Sequence, residues 1–161
     1  MNIYNKIKSD KEANKKSFAL LIDPENQSKN QLKSIIEKAE KANTDFFFVG
    51  GSLLTFDSLE LCLTTIKETS NIPVILFPGN EMQVNDNADG ILFLSLISGR
   101  NADMLIGKQV ITAPLLKRSS LEVIPTGYIL IDSGKPTTVS YMSNTTPIPA
   151  NKDAVAACTA M

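Results

Sequence analysis

The sequence predicts an α/β protein built on a parallel β-sheet with helices outside it. Short, continuous apolar runs alternate with amphipathic stretches at helical spacing, which is typical of βαβ units. Every apolar run ends in a segment of small or polar residues. The 161 residues, 43% apolar and 20% charged, fit one domain of ordinary size with a sizeable core.

The first two βα units show the pattern most clearly. Residues 17–22 and 46–49 are continuous apolar runs, apart from Ser17, and predict strands buried on both faces. After the first run, Ser28 and Gln31 form a capping box that begins a helix. After the second, Asp57 and Glu60 give an acidic helix start. The apolar stripes of the two helices are Leu32, Ile35, Ile36, Ala39 and Ala42, and then Leu59, Cys62, Leu63 and Ile66.

The later units are less regular. Residues 73–77 and 90–94 predict strands three and four, and the short polar stretch between them predicts a short or irregular crossover. A helix opens near Ala102 with Leu105 and Ile106 on its inner side, and Pro114 limits its end. A fifth strand lies within residues 126–131. A polar loop over 135–149 and a helix starting near Ala150 follow.

Two closures of the sheet compete, an open doubly wound sheet and a closed eight-stranded barrel, and spacing alone does not decide between them. Residues 154–161 are apolar all round and carry neither a glycine nor a basic residue at their end. We therefore expect residues 1–161 to be the N-terminal part of one longer domain. A complete barrel needs about 250 residues, so about three βα units would be missing.

Composition excludes several classes of function. The net charge of −1 excludes a generally basic nucleic-acid binder. The absence of His excludes His-based triads and His-ligated zinc within these residues. Cys62 and Cys158 lie far apart in apolar patterns and predict buried thiols rather than a disulfide. No secretory signal and no apolar run of membrane-spanning length is visible, so we expect a cytoplasmic protein.

Candidate functional residues lie at the strand ends, which share one rim in a parallel α/β fold. Asp23 follows the first strand directly. It is either a turn or cap residue or a metal ligand, and with the Ser52 hydroxyl it would suit magnesium, which takes few protein oxygens. The other members of this set are Gly50, Gly51, Asn80, Gly99, Arg100, Asn101 and Asp132.

Several of these residues keep two interpretations. Gly50 and Gly51 fit a tight turn or an anion-binding nest. Arg100 and Asn101, at a helix start, could hold an anion or be a solvated loop. Tyr141, with Met142 beside it, lines an apolar groove or anchors the loop.

Taken in order, these segments resemble the geranylgeranylglyceryl phosphate synthase family from residue 17 to residue 161. The resemblance is carried by FALLIDPEN, FFFVGGSLLT, PVILFPGN, ADGILFLSLISGRN, PTGYILIDSG and YMSNTTPIP. It implies a (β/α)₈ barrel and a magnesium-dependent prenyl transfer. The donor would be a polyprenyl diphosphate, typically geranylgeranyl, and the acceptor the hydroxyl of sn-glycerol 1-phosphate. The product would be an ether-lipid precursor.

By the same resemblance, Asp23 and Ser52 match the family's magnesium positions. We expect the substrates to contact Gly50, Gly51, Asn80, Gly99, Arg100 and Asn101, and we expect a homo-oligomer. The family's glycerol phosphate segment and acid–base carboxylate have no counterpart in this sequence. One branch of the family carries Lys two residues before the metal Asp. Leu21 occupies that position here and indicates the other branch.

Two alternative functions stay open from the residues alone. One is a different barrel enzyme acting on a phosphorylated metabolite, such as an isomerase or an aldolase. Such an enzyme needs a catalytic Lys or Glu at a strand end, and none is obvious. The other is a non-catalytic binding or assembly fragment.

Overall fold

The computed structural model describes residues 2–51, 56–80, 83–98, 101–151, 153, 155 and 156. None of the helices in these ranges is long and apolar enough to cross a membrane. The elements are α1 (Ile3–Glu12), β1 (Ala19–Ile22), a 3₁₀ turn (Pro24–Asn26), α2 (Lys29–Lys41), β2 (Phe46–Val49), α3 (Phe56–Thr69), β3 (Val74–Leu76), β4 (Gly90–Leu96), a π-helical turn (Asp103–Gly107), α4 (Lys108–Leu116), β5 (Glu122–Tyr128) and α5 (Thr138–Met142).

The five strands form one sheet in the order β1-β2-β3-β4-β5. The first three pairings are parallel, with Ala19 opposite Phe46, Phe47 opposite Val74, and Ile75 opposite Gly90. Between β4 and β5, the Glu122 N–H donates to the Asp89 carbonyl at 3.1 Å. Further along both strands, the Ile97 N–H donates to the Tyr128 carbonyl at 3.0 Å. These bonds advance in the same direction along both strands, so this pair is parallel as well. The predicted parallel α/β sheet is confirmed.

The chain divides into two compact units. The first comprises residues 1–92 and 115–124 and holds β1, β2, β3 and helices α1 to α3. Its core contains fully buried side chains from α2, β2, α3 and β3, namely Ile36, Phe47, Leu63, Ile66 and Val74. The second unit comprises residues 93–114 and 125–161. It holds the C-terminal parts of β4 and β5, most of α4 and the whole of α5.

Strand β1 differs most from the prediction in its burial, and strand β5 differs most in its extent. Strand β1 is not buried on both faces: Leu21 is 57% exposed, while Ile22 on the opposite face is buried. Strand β1 lies at the edge of the described sheet and pairs only with β2. Strand β5 begins at Glu122 and ends at Tyr128, four residues earlier than expected at its start. Pro125 lies inside it as an exposed residue, a position where proline is tolerated in a strand.

The helix predicted from Ala102 is also different. It begins with the π-helical turn, and α4 continues two residues past Pro114. The expected inner residues Leu105 and Ile106 are 44% and 62% exposed. The wide π-helical turn changes which residues face the sheet, and the buried residues of α4 are Thr112 and Leu116.

The polar segment over 135–149 is more ordered than a loop. It contains α5, which begins with a capping box between Thr137 and Ser140, and Ile131 forms a parallel bridge with Ile148. Tyr141 is 75% exposed, so it does not anchor the segment. Residues 153, 155 and 156 are helical, and the Val155 N–H donates to the Asn151 carbonyl at 3.2 Å. The rest of the helix expected from Ala150, with Cys158, lies outside the described residues.

Helix α1 was not anticipated from the sequence. Its first turn is capped by a residue from far along the chain: the Glu122 carboxylate accepts the N–H groups of Ile3 at 2.6 Å and Tyr4 at 2.7 Å. A carboxylate at this position complements the positive end of the helix dipole. Ile3 is fully buried beside this cap.

Candidate functional site

Asp23 stands directly after β1 and caps the 3₁₀ turn that follows. Its Oδ1 accepts the Glu25 N–H at 3.1 Å, and Pro24 occupies the first position of the turn. The interpretation of Asp23 as a cap residue is therefore confirmed. The residue is also exposed to solvent.

The charge of Asp23 acts on a buried thiol of α3. Burial raises the pKa of Cys62 to about 12, and the negative charge of Asp23 contributes to the same shift. The predicted buried, free thiol is confirmed for Cys62, which is 2% exposed. A thiol with this pKa stays protonated at neutral pH and is not a nucleophile there.

Gly50 follows β2 and is required by the packing of the backbone. Its N–H donates to the Ile22 carbonyl at 3.2 Å. An added Cβ at Gly50 would lie 1.9 Å from the Phe77 carbonyl oxygen. The Gly50 amide thus belongs to the sheet, and Gly50 contributes to the end of β2 by its small size.

A residue that sequence reasoning missed joins the segments that follow β2 and β3. Gln83 is buried, and its Nε2 donates to the Gly51 carbonyl at 3.1 Å. Its Oε1 accepts the Gly79 N–H at 2.8 Å. Its own N–H donates to the Asn80 carbonyl at 3.3 Å. The sequence carries no signal for this role, since a single Gln in a polar connection is usually solvated.

Four candidate residues thus follow three neighbouring parallel strands in the first unit. Asp23 comes after β1, Gly50 and Gly51 come after β2, and Asn80 comes shortly after β3. Because the carboxyl ends of parallel strands meet at one edge of a sheet, these residues lie along the same edge of the first unit. Ser52, Gly99 and Arg100 lie outside the described residues.

The second unit has its own polar arrangement after β4 and β5. Asn101 accepts the Asp103 N–H at 3.0 Å and donates to the Ser143 carbonyl at 2.5 Å. The buried Ser98 hydroxyl accepts the Leu130 N–H at 2.8 Å. Asn101 is therefore a cap and a tie between segments. A cavity of about 350 Å³ lies in this unit, and it is lined by Asp132, Gly134, Lys135, Pro136, Ser140, Thr145, Thr146 and Pro147.

The described residues of the site offer few protein ligands to a metal ion. In the ranges that the structure describes, no group of three or more His, Cys, Asp or Glu side chains could hold a metal ion. An all-protein cage for zinc or calcium is therefore absent from that part of the chain. A single accessible carboxylate fits magnesium, which keeps several waters and takes further oxygens from substrate phosphates.

Parallel strands covered by helices, with small and polar residues where the strands end, define an α/β protein of the class that includes the (β/α)₈ barrels and the doubly wound sheets. The chain belongs to the PcrB family, whose sequence profile matches residues 11–161.

Two curated relatives are named geranylgeranylglyceryl phosphate synthase. The protein from Chitinophaga pinensis is 51% identical over 159 residues, which cover 99% of this chain and 63% of the relative. The protein from Methanosphaera stadtmanae is 37% identical and is matched over 100% of this chain and 65% of its own length. The chain thus spans less than two thirds of the length of the curated relatives it matches.

Two solved structures agree with the fold. The chain superposes on the wild-type geranylgeranylglyceryl phosphate synthase of Thermoplasma volcanium with a TM-score of 0.90 at 30% identity, covering 99% of this chain and 64% of that one. The Thermoplasma acidophilum enzyme, solved with its substrate sn-glycerol-1-phosphate, gives a TM-score of 0.89 at 30% identity over 97% and 62%. The sheet is therefore part of a (β/α)₈ barrel rather than an open doubly wound sheet.

Proposed function

We propose that the protein is a prenyltransferase that joins a polyprenyl group, typically geranylgeranyl, from its diphosphate to the hydroxyl of sn-glycerol 1-phosphate. The product is an ether-lipid precursor. The observation that carries the proposal is the accessible Asp23 carboxylate at the end of β1, in a chain 51% identical to a synthase of this name.

In this proposal Asp23 and Ser52 hold a magnesium ion. When bound, the ion supplies positive charge that offsets the charge developing on the diphosphate leaving group. Asp23 is suited to the role because its side chain caps the 3₁₀ turn, and this hydrogen bond holds the carboxylate in one position. The lack of a side chain at Gly51 leaves room for the diphosphate at the strand ends, next to Gly50, whose own side-chain space is taken by the Phe77 carbonyl oxygen.

The remaining polar residues of the predicted set orient the substrates. Asn80, Gly99, Arg100 and Asn101 contact the diphosphate or the glycerol phosphate in this proposal, with Arg100 supplying a positive charge. The Thermoplasma acidophilum neighbour was solved with sn-glycerol-1-phosphate, which supports this acceptor. We assign no residue of this chain as the general acid or base. We further propose a homo-oligomer that works in the cytoplasm.

The test is Asp23→Asn in the complete gene product. An amide in place of the carboxylate still accepts the Glu25 N–H, so the turn stays capped while the charge is lost. We expect a thermal midpoint close to that of the wild type and prenyl transfer reduced about a hundredfold or more, since a metal-bound leaving group is worth several kcal/mol. Radiolabelled glycerol 1-phosphate extracted into an organic phase measures the product.

Glu25→Gln is the matched control, because it removes an exposed carboxylate two residues away in the same turn. It should leave transfer within about twofold of the wild type, because Glu25 is exposed and is not one of the proposed magnesium ligands. Asp23→Asn with wild-type activity, or a wild-type enzyme indifferent to EDTA, would contradict the proposal.

A further inference from the structure

We propose that Gln83 is a positioning residue that holds the segments after β2 and β3 in the geometry that binds the magnesium diphosphate group. It acts through Gly51 and Gly79 rather than by touching substrate. This inference rests on the proposed function, because it assigns the edge of the first unit to a diphosphate.

The geometry uses both ends of one side-chain amide. The donor end meets the Gly51 carbonyl at 3.1 Å, and the acceptor end meets the Gly79 N–H at 2.8 Å. A primary amide is the neutral side-chain group that offers a donor and an acceptor side by side. Gln83 is 6% exposed, so water competes little for either bond.

Each bond fixes a peptide plane. The Gly51 carbonyl belongs to the peptide group by which the chain continues beyond Gly51, and the Gly79 N–H belongs to the peptide that joins Pro78 to Gly79. Peptide groups are planar, so holding one polar atom orients the whole unit. Glycine peptides are the least constrained by sterics, so an external tie matters most there.

The connection that carries Gln83 has no helix in its described part, so side chains hold it in place. Asn85 is also buried, but its side chain bonds to the helix layer instead of to the strand ends: its Nδ2 donates to the Glu60 carboxylate on α3 at 2.5 Å. Asn87 donates to the other oxygen of Glu60 at 2.7 Å. Gln83 thus ties the connection to the strand ends, and Asn85 ties it to the helix layer.

Because Gln83 and Asn85 bond to different parts of the fold, they supply a matched pair of variants. Gln83→Met and Asn85→Leu each replace a buried amide by an apolar side chain of similar size, two residues apart. Each costs stability, but only Gln83→Met frees the Gly51 and Gly79 peptides. Gln83→Asn is a milder third variant, since its shorter side chain reaches one partner at most and keeps the site polar.

The experiment uses the complete gene product and inorganic diphosphate with Mg²⁺ as the binding probe, measured by titration calorimetry. We expect the dissociation constant to rise about tenfold or more in Gln83→Met, less in Gln83→Asn, and under about twofold in Asn85→Leu. Amide exchange at Gly79 should accelerate in the two Gln83 variants alone. In the transfer reaction, KM for the prenyl diphosphate should rise more than kcat falls.

Each outcome decides the proposal. If the wild type binds the probe and the Gln83 variants bind more weakly than Asn85→Leu, the positioning role stands, even where prenyl transfer is absent and the proposed function fails. Equal binding by Gln83→Met, Gln83→Asn and Asn85→Leu would overturn it. A wild type that does not bind magnesium diphosphate would overturn it too, because Gln83 would then have no such site to position.

Discussion

The Phe77 carbonyl oxygen occupies the space that a side chain at Gly50 would need. An ideal Cβ at Gly50 falls 1.9 Å from that oxygen and 2.7 Å from the carbonyl carbon. Both atoms are backbone and belong to the segment that leaves β3, where the Phe77 N–H donates to Val49 at 2.8 Å. The glycine at the end of β2 is therefore explained by the close approach of two chain segments.

We predict that Gly50→Ala lowers the free energy of unfolding by about 3 kcal/mol, the upper part of the range for overpacking, because backbone atoms yield less than side chains. Urea denaturation of the complete gene product measures it. Gly127→Ala is the control, since its nearest contact is the flexible end of Ile97 at 3.3 Å. It should change stability by less than about 1 kcal/mol. Equal costs at the two glycines would refute the explanation.

The amino ends of the strands carry an ion network that secures the N-terminal segment. Asp45, just before β2, accepts the Phe18 N–H at 2.8 Å and lies 3.3 Å from both Lys6 and Lys15. Asp10 lies 2.6 Å from Lys6 one helical turn away. The Phe18 N–H and the two lysines hold the pKa of Asp45 below its usual 3.8, and Lys6 does the same for the pKa of Asp10.

These shifts predict acid sensitivity. Carboxylates with a lowered folded-state pKa add stability above pH 3.8, and that stability is lost as the pH falls from there through the folded pKa. Asp45→Asn should cost about 2 kcal/mol at pH 7, the scale of hydrogen bonds to a charged group. Its stability should then depend less on pH than that of the wild type below pH 4.

Glu12→Gln is the control for that series, because the Glu12 carboxylate and Lys8 form a mostly exposed pair at 3.9 Å. Exposed pairs contribute about 0 to 1 kcal/mol, so its pH profile should follow the wild type. Urea unfolding at pH steps between 7 and 3 measures all three proteins. Parallel profiles for Asp45→Asn and the wild type would show that the network is not a source of the acid dependence.

Features set by local patterns were predictable from the sequence. The limits of β2, the capping box of Ser28 and Gln31, and the buried stripe of α3 all match, since each depends on neighbours within one turn or strand. Asp23 was singled out for the same reason, by its place directly after an apolar run.

Contacts between distant segments were not predictable. Glu122 caps a helix that begins more than a hundred residues earlier, and Gln83 bonds Gly51 from 32 residues away. Hydrophobic periodicity indicates local secondary structure and does not identify partners this far apart in the sequence. The π-helical turn was not predictable either. It shifts the helical spacing, and Leu105 and Ile106, which were expected on the inner side, are exposed to solvent.

Cys62 provides the last prediction. Its pKa of about 12, against an ordinary 9.0, leaves roughly a thousandfold less thiolate at pH 8 than a free thiol, and the thiolate is the reactive form. In a Cys158→Ser background, folded protein should react with Ellman's reagent about a thousandfold more slowly than protein unfolded in urea.

The largest cause of the shift in the pKa of Cys62 is burial, and the second is the charge of Asp23. Asp23→Asn should therefore leave Cys62 strongly protected, with at most a small gain in rate. Rapid labelling of native protein would show that α3 opens readily at Cys62, and the packing of α3 beside Asp23 would have to be revised.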